Sequence, residues 1–377
     1  MKAVLCLLAL ALSLPAIAGN TSTLYMNYGG YNRDFIVHLP TGYVAGQHLP
    51  LVFNFHGYTS NASQQELYTK MDATADANHF IVVYPDGINN EWNVGWAGTY
   101  GTGIDDVGFT GKLIDTMVVL YGINTDRVYA TGLSNGGYLS HRLACEMSNR
   151  IAAIAAVSGC LTDSTAFYCH PQRLMPIMHI HGTADPIVPY NGLPGALSTE
   201  AAINFWLNKE TCNTPGDTTN LPDTNSSDGC TVQTIDYNQC SANNEVLLYK
   251  ITGGGHTWPD GLVDISNFGN TDRDFDASQA IWDFFNRYTL SGTTDIKAIE
   301  NAAHVKIYPN PFGNSLQIEA AQILRQIEVF NMLGERLIVK QVNSNTGIID
   351  TRYLPAGAYL LKVSGKDFIQ NKVITKY

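Results

Sequence analysis

The sequence predicts an α/β fold, a mostly parallel sheet covered by helices, followed by a small C-terminal β-sandwich. Three observations lead there. Strand-like apolar runs alternate with amphipathic helical ones up to residue 290, which is the order that a parallel sheet with crossover helices requires. At "VYATGLSNGGYLSHRLACE", residues 128–146, a β-branched segment passes through a glycine-flanked serine straight into a helical pattern. Beyond residue 304 only short period-2 segments remain, punctuated by turn residues.

The chain opens with "MKAVLCLLALALSLPAIAG": Lys2, an apolar run from Ala3 to Leu14, then the small-x-small pattern Ala16-Ile17-Ala18. This is the form of a cleaved leader over residues 1–18. The run is short for a membrane span and no later stretch is long enough, so no transmembrane segment is expected and the mature protein should be exported. "STLYMNY" and "RDFIVHL" alternate as an antiparallel edge hairpin would. Sheet strands follow at 49–55, 80–85, 127–132, 151–159 and 175–182, with helices at 63–77, 107–121 and 135–147 between them. "EVLLYKI" reads as a later strand. The last helix is "DASQAIWDFFNRY", with Ala277, Ile281, Phe284, Phe285 and Tyr288 on one stripe. The layout is therefore a catalytic α/β unit over 19–290, a linker over 291–304 and the sandwich over 305–377.

Of 377 residues, 45% are hydrophobic and 15% charged, enough for one large core and a second, smaller unit. The net charge of −11, more negative still without Lys2, argues against nucleic acid or an anionic membrane as partner. Cys6 leaves with the leader. Cys145, Cys160, Cys169, Cys212, Cys230 and Cys240 remain, an even number that fits three disulfides without fixing their pairing. Neither C-x-x-C nor H-E-x-x-H occurs, so no metal and no cofactor is expected.

Ser134 sits in Gly132-Leu133-Ser134-Asn135-Gly136, where a strand ends and a helix begins. A serine on such a turn projects from the sheet edge, and the helix behind it favours developing negative charge. A nucleophilic serine needs a base, and the base needs an orienting carboxylate, in the chain order serine, acid, histidine for this architecture. His141 lies on the following helix, His179 within an apolar strand pattern and His304 in the linker. His170 neighbours Cys169, and His181 ends its strand before a later acid could fit the order. That leaves His256, in Gly253-Gly254-Gly255-His256-Thr257-Trp258. Asp185, in "HGTADPIVPY", stands where a carboxylate can reach it, ahead of Asp163, Asp217, Asp223, Asp228 and Asp236. The backbone N–H groups of Asn135 and Tyr58 are the candidates for an oxyanion hole, with His56 anchoring the Tyr58 loop.

The "HGYTSNA" loop, "DDVGF" at 105–109, "RVYATGLSNGG", "HGTADPIVPY" and "GGGHTWPD" together make residues 24–290 resemble the secreted esterase family named for polyhydroxybutyrate depolymerases. This family includes feruloyl and acetyl-xylan esterases and is a branch of the α/β-hydrolases. The resemblance implies a triad at the same Ser134, Asp185 and His256, an aromatic beside the histidine at Trp258, and a Cys212–Cys240 bridge. In the tail, "VKIYPNPFGNSLQI", "IEVFNMLGERL" and "LPAGAYLLKV" resemble the C-terminal sorting domain of the type IX secretion system of Bacteroidetes. That resemblance implies type IX machinery as partner and an extracellular or cell-surface location. A carbohydrate- or fibre-binding sandwich is the rival reading of the tail.

For the substrate, Tyr58, Trp92, Trp96, Tyr100, Tyr190 and Trp258 fall on loops at the strand ends, and Trp258, Tyr58 and Trp96 are the expected substrate contacts. Asp105 and Asp106 read as helix caps. An exported, aromatic-rimmed site suggests a polymeric or polymer-attached ester: feruloylated or acetylated plant polysaccharide, polyhydroxyalkanoate, or, promiscuously, polyethylene terephthalate. A serine peptidase of the same fold and a non-catalytic glycan- or polymer-binding protein with a vestigial site are the competing classes.

Overall fold

The computed structural model describes residues 19–290, 305–331, 336–365 and 369–377; the expected leader and linker lie outside the described residues. The chain begins with the hairpin β1 (Asn20–Tyr28) and β2 (Tyr31–Leu39). It continues through β3 (Leu51–Phe55), α1 (Ala62–Thr69), α2 (Met71–Asn78), β4 (Ile81–Pro85), α3 (Asp106–Tyr121), β5 (Val128–Leu133) and α4 (Asn135–Glu146). Next come β6 (Ala153–Val157), α5 (Asp163–Tyr168), β7 (Ile177–Gly182), α6 (Thr199–Glu210), β8 (Asp217–Asn220), β9 (Thr231–Tyr237), β10 (Val246–Thr252) and α7 (Ala277–Phe285).

These strands form one ten-stranded sheet in the order β1-β2-β4-β3-β5-β6-β7-β10-β9-β8. The centre, from β4 to β10, is parallel, and an antiparallel hairpin closes each edge. Every residue of β3, β4, β5, β6 and β7 is buried, because helices cover both faces. Successive strand residues feed opposite cores, as the pleat requires. Phe53, Phe55, Val128 and Ala130 pack with Phe109 and Leu113 of α3, Leu139 and Leu143 of α4 and Trp206 of α6. Val52, Tyr129, Met178 and Ile180 pack on the other face with Met71 and Ala75 of α2 and Ile281, Trp282 and Phe285 of α7.

Three differences from the sequence reading have physical causes. The expected helix over 63–77 is broken at Lys70, whose φ of 52° is left-handed, so α1 and α2 leave it in different directions. The stretch after Asp185 also holds α6 and the β8–β9 hairpin, which extends the sheet beyond β10; β8 is wholly exposed and so carries little apolar pattern. Finally, among the described residues two disulfides form rather than three. Cys145 pairs with Cys169, joining α4 to the end of α5, and Cys212 with Cys240, joining the end of α6 to the chain beyond β9. Cys160 and Cys230 are buried free thiols in the cores on opposite faces of the sheet, so they cannot meet.

The tail is a five-stranded antiparallel unit: β11 (Lys306–Tyr308), β12 (Ser315–Asn331), β13 (Arg336–Asp350), β14 (Gly357–Gly365) and β15 (Ile369–Lys376). Register shifts along β12 bend the sheet around a core of its own, with Leu316, Ile318, Leu324, Ile327, Leu361 and Ile374 buried.

Candidate active site

Ser134 occupies the turn between β5 and α4 with φ 56° and ψ −117°, a conformation outside the ordinary wells of a non-glycine residue. The turn holds because its N–H donates to Val157 O at 2.8 Å and because the neighbouring glycines leave no Cβ in the way. A Cβ on Gly136 would lie 2.1 Å, and one on Gly132 2.5 Å, from Phe55 O, so any side chain there would push β3 from β5.

Ser134 and His256 line the same cleft, of about 580 Å³. Behind His256 stands Asp185, whose Oδ2 lies 2.8 Å from His256 Nδ1. The other carboxylate oxygen accepts the N–H groups of Ile187 and Val188, each at 2.8 Å, which locks the rotamer. Burial alone would raise the Asp185 carboxyl, but hydrogen bonds from His181 and His256 reverse that and hold it well below the usual carboxylate range. The histidine loop is pinned in turn: His256 N–H donates to Phe268 O at 2.5 Å, and the Phe268 ring meets the imidazole edge-on.

Of the two expected oxyanion donors, Tyr58 lines the same cleft as Ser134 and Asn135 follows Ser134 as the first residue of α4. Among the described residues neither the Tyr58 nor the Asn135 N–H has a protein acceptor, whereas Thr59 N–H is already bonded to Asn90 O. The Asn135 side chain is engaged elsewhere, its Oδ1 accepting Trp92 N–H at 2.6 Å. His56 anchors the Tyr58 loop: its Nδ1 bonds Gly57 O at 2.7 Å and its Nε2 accepts Gly87 N–H at 2.9 Å. Burial pushes His56 down to about 4, so the ring stays neutral in that role.

Of the three expected substrate contacts only Tyr58 reaches the cleft, 62% exposed at its rim. Trp258 does not. It is 0% exposed within the core beneath α7, and its indole N–H donates to Ser278 Oγ at 3.2 Å. Two residues after His256 the side chain is already in the core, so sequence proximity to the histidine does not place its ring beside the reacting carbon. Trp96 is half-buried against Tyr138, outside the cleft lining. Trp92, Tyr100 and Tyr190 are also used internally: Trp92 donates to His56 O, Tyr100 stacks on Tyr168 and Tyr190 is buried.

The walls are instead Leu67 and Tyr68 of α1, Ile187, and Leu262, Val263, Ile265 and Phe268 from the loop after His256. Leu67, Ile187, Leu262, Val263 and Ile265 are exposed, and exposed aliphatics in the run "GLVDISNF" were the signal that could have found them. Asp105 caps α3 by accepting Gly108 N–H at 2.8 Å, as expected. Asp106 differs from its reading as a cap: it is buried, 2.7 Å from Arg33 Nη1, and accepts Asn93 N–H, tying the 92–95 loop to β2.

A parallel sheet flanked by helices, with a strained serine at the β5–α4 turn and a histidine and carboxylate on the loops after β10 and β7, defines an α/β-hydrolase. Residues 107–224 match the phospholipase/carboxylesterase family model and residues 306–376 that of the secretion system C-terminal sorting domain. It is 27% identical over 293 residues to the bifunctional acetylxylan esterase/xylanase of Neocallimastix patriciarum, covering 77% of this chain and 38% of the relative. It is 29% identical over 249 residues to feruloyl esterase B of Piromyces equi, covering 61% of this chain and 44% of the relative. The chain thus spans less than half the length of these two curated relatives. Among solved structures, the acetyl xylan esterase from Aspergillus awamori superposes with a TM-score of 0.49 at 15% identity, over 63% of this chain and 94% of that one.

Proposed function

We propose that the chain is a secreted serine carboxylic-ester hydrolase acting on polymer-attached esters. The observation that carries this reading is that Ser134 and His256 open into one apolar cleft while Asp185 holds the far side of the imidazole. In this mechanism Ser134 attacks the ester carbonyl and His256 Nε2 takes its proton. Asp185 keeps the imidazole oriented and stabilises its charged form. The N–H groups of Tyr58 and Asn135 receive the oxyanion, and collapse of the tetrahedral intermediate expels the alcohol with the proton returned by His256. Water then hydrolyses the acyl-enzyme by the same steps in reverse roles.

The apolar walls fit a long or aromatic acyl group, and the similarity to feruloyl and acetylxylan esterases supports plant-wall esters. Polyhydroxyalkanoate and aromatic polyesters, polyethylene terephthalate among them, present the same chemistry to an open apolar rim. The catalytic unit is assigned to residues 19–290 and the sorting unit to 305–377, the latter directing export through type IX machinery. A panel of methyl ferulate, acetylated xylan, polyhydroxybutyrate film, an aromatic polyester and a peptide anilide tests the reading. Ester turnover with the feruloyl substrate preferred is the expected result. Anilide cleavage without ester preference would make the enzyme a peptidase, and inertness on all five would leave a binding protein.

A further inference from the structure

Three histidines without a role in the proposed reaction stand in a row behind it. His141 of α4 and His179 and His181 of β7 are each 0% exposed. Trp206 Nε1 of α6 lies 3.1 Å from His141 Nδ1, His141 Nε2 lies 3.2 Å from His179 Nδ1, and His179 Nε2 lies 3.1 Å from His181 Nδ1. His181 Nε2 ends the row 2.9 Å from Val188 O and 3.4 Å from Asp185 Oδ2, the same oxygen that faces His256.

The protons in this row have one consistent arrangement. An indole N–H only donates, so His141 Nδ1 must accept and the neutral ring carries its proton on Nε2. That N–H makes His179 Nδ1 an acceptor, whose ring then donates from Nε2 to His181 Nδ1. The last N–H, on His181 Nε2, meets a carbonyl and a carboxylate, which only accept. Both ends therefore impose the same direction. We propose that Trp206, His141, His179 and His181 form a one-way hydrogen-bond chain that ends in a fixed N–H, held on Val188 O and set 3.4 Å from the Asp185 Oδ2 that faces His256, making the three histidines positioning residues for the site.

The competing occupant of this region is a metal ion, since Cys160 Sγ lies 3.8 Å from His179 Nε2 and 3.9 Å from His181 Nδ1. Coordination needs a lone pair on His179 Nε2. The proton would move to His179 Nδ1, forcing His141 Nε2 to accept and His141 Nδ1 to carry a proton aimed at the indole N–H 3.1 Å away. Two donors would then face each other in a dry core, a cost the one-way chain avoids.

Burial pushes His141 down to about 3 and lowers His179 as well, so both rings are neutral. Burial opposes a charge on His181, but Asp185 and Cys160 outweigh it and raise the ring to about 10; against that pull, a second proton on Nδ1 would face the His179 N–H, and the direction set by the indole keeps the ring neutral in the proposed chain. The other titratable groups around the chain are the Cys160 thiol and the phenols of Tyr138 and Tyr190, with Glu200 at the Tyr190 hydroxyl and Lys250 over its ring. Burial raises both phenols, which stay protonated at neutral pH.

The consequence rests on the esterase reading. An N–H donor set beside Asp185 Oδ2 draws negative charge from the carboxylate that faces His256 Nδ1. Removing that donor should move the acid limb of kcat/KM to higher pH. The first experiment is independent of activity: the full chain is labelled with 15N-histidine and its imidazole tautomers are read by long-range proton–nitrogen correlation, alongside elemental analysis. Nε2–H tautomers at His141, His179 and His181 without bound metal are expected; an Nδ1–H form at His179, or a stoichiometric metal, overturns the chain. The second compares pH profiles on a soluble aryl ester. His181→Phe should raise the acid limb by about 0.5–1 pH unit with KM within about twofold, and His181→Gln, whose amide can still donate, should restore it. A limb that stays in place in the Phe variant overturns the proposal. An inactive parent enzyme would sink the esterase reading while the tautomers still decided the chain, and they decide it too should the Phe variant fail to fold.

Discussion

At the scale of single residues, the site separates groups that face the cleft from groups that merely neighbour them in sequence. Ser134→Ala should lower ester turnover by roughly 10⁴-fold or more, since nucleophile and base act as a unit, while the thermal transition stays in place. Turnover within tenfold of the parent (about 1.4 kcal/mol) would place the nucleophile elsewhere. Trp258 behaves oppositely. Its ring is wholly buried and hydrogen-bonded to Ser278, so Trp258→Ala should cost about 3–5 kcal/mol of stability. In the fraction that remains folded, acetyl and aromatic esters should be affected alike. A selective loss on aromatic esters, at unchanged stability, would return the ring to the substrate wall.

At the scale of elements, α6 shows how a buried carboxyl joins helix to sheet. Glu210 at its end is wholly buried and accepts Met175 N–H at 2.9 Å and the Asn244 amide. Burial pushes its carboxyl from the ordinary 4.5 up to about 7. Because the folded value lies above the unfolded one, the folded state holds a proton that the unfolded chain releases. The contribution is present in full below 4.5 and is lost as pH rises through 7. The change across that window is on the order of 3 kcal/mol. Glu210→Gln, which has no proton to lose, should therefore show a smaller fall in Tm than the parent when scanned from about pH 5 to about pH 8. Equal falls would show that Glu210 does not titrate in this range.

At the scale of the molecule, the two cores flanking the large sheet draw on residues up to Leu290, and the tail has a core made of its own strands. Truncation before residue 305 should accordingly leave turnover of soluble esters unchanged and abolish appearance of the enzyme outside the cell. Assayed on purified protein and on culture fractions, retained export with lost adsorption to insoluble polymer would replace sorting with binding as the role of the tail.

What the sequence determined by itself was local or ordered along the chain. The alternation of strands and helices and the Gly132–Gly136 turn that carries Ser134 follow from backbone stereochemistry and connectivity, and both were legible. The wholly exposed β8 lacked a hydrophobic pattern and was not. Tertiary structure alone decided which side chains share a space. Trp258 turns into the core while Leu262 and Ile265, a few residues later, face the cleft. Cys160 and Cys230 fall on opposite faces of the sheet. His141, His179 and His181, each set aside on its own by sequence, line up only when α4 and α6 pack against β7, because contact between residues far apart in the chain depends on packing and leaves no mark in local spacing.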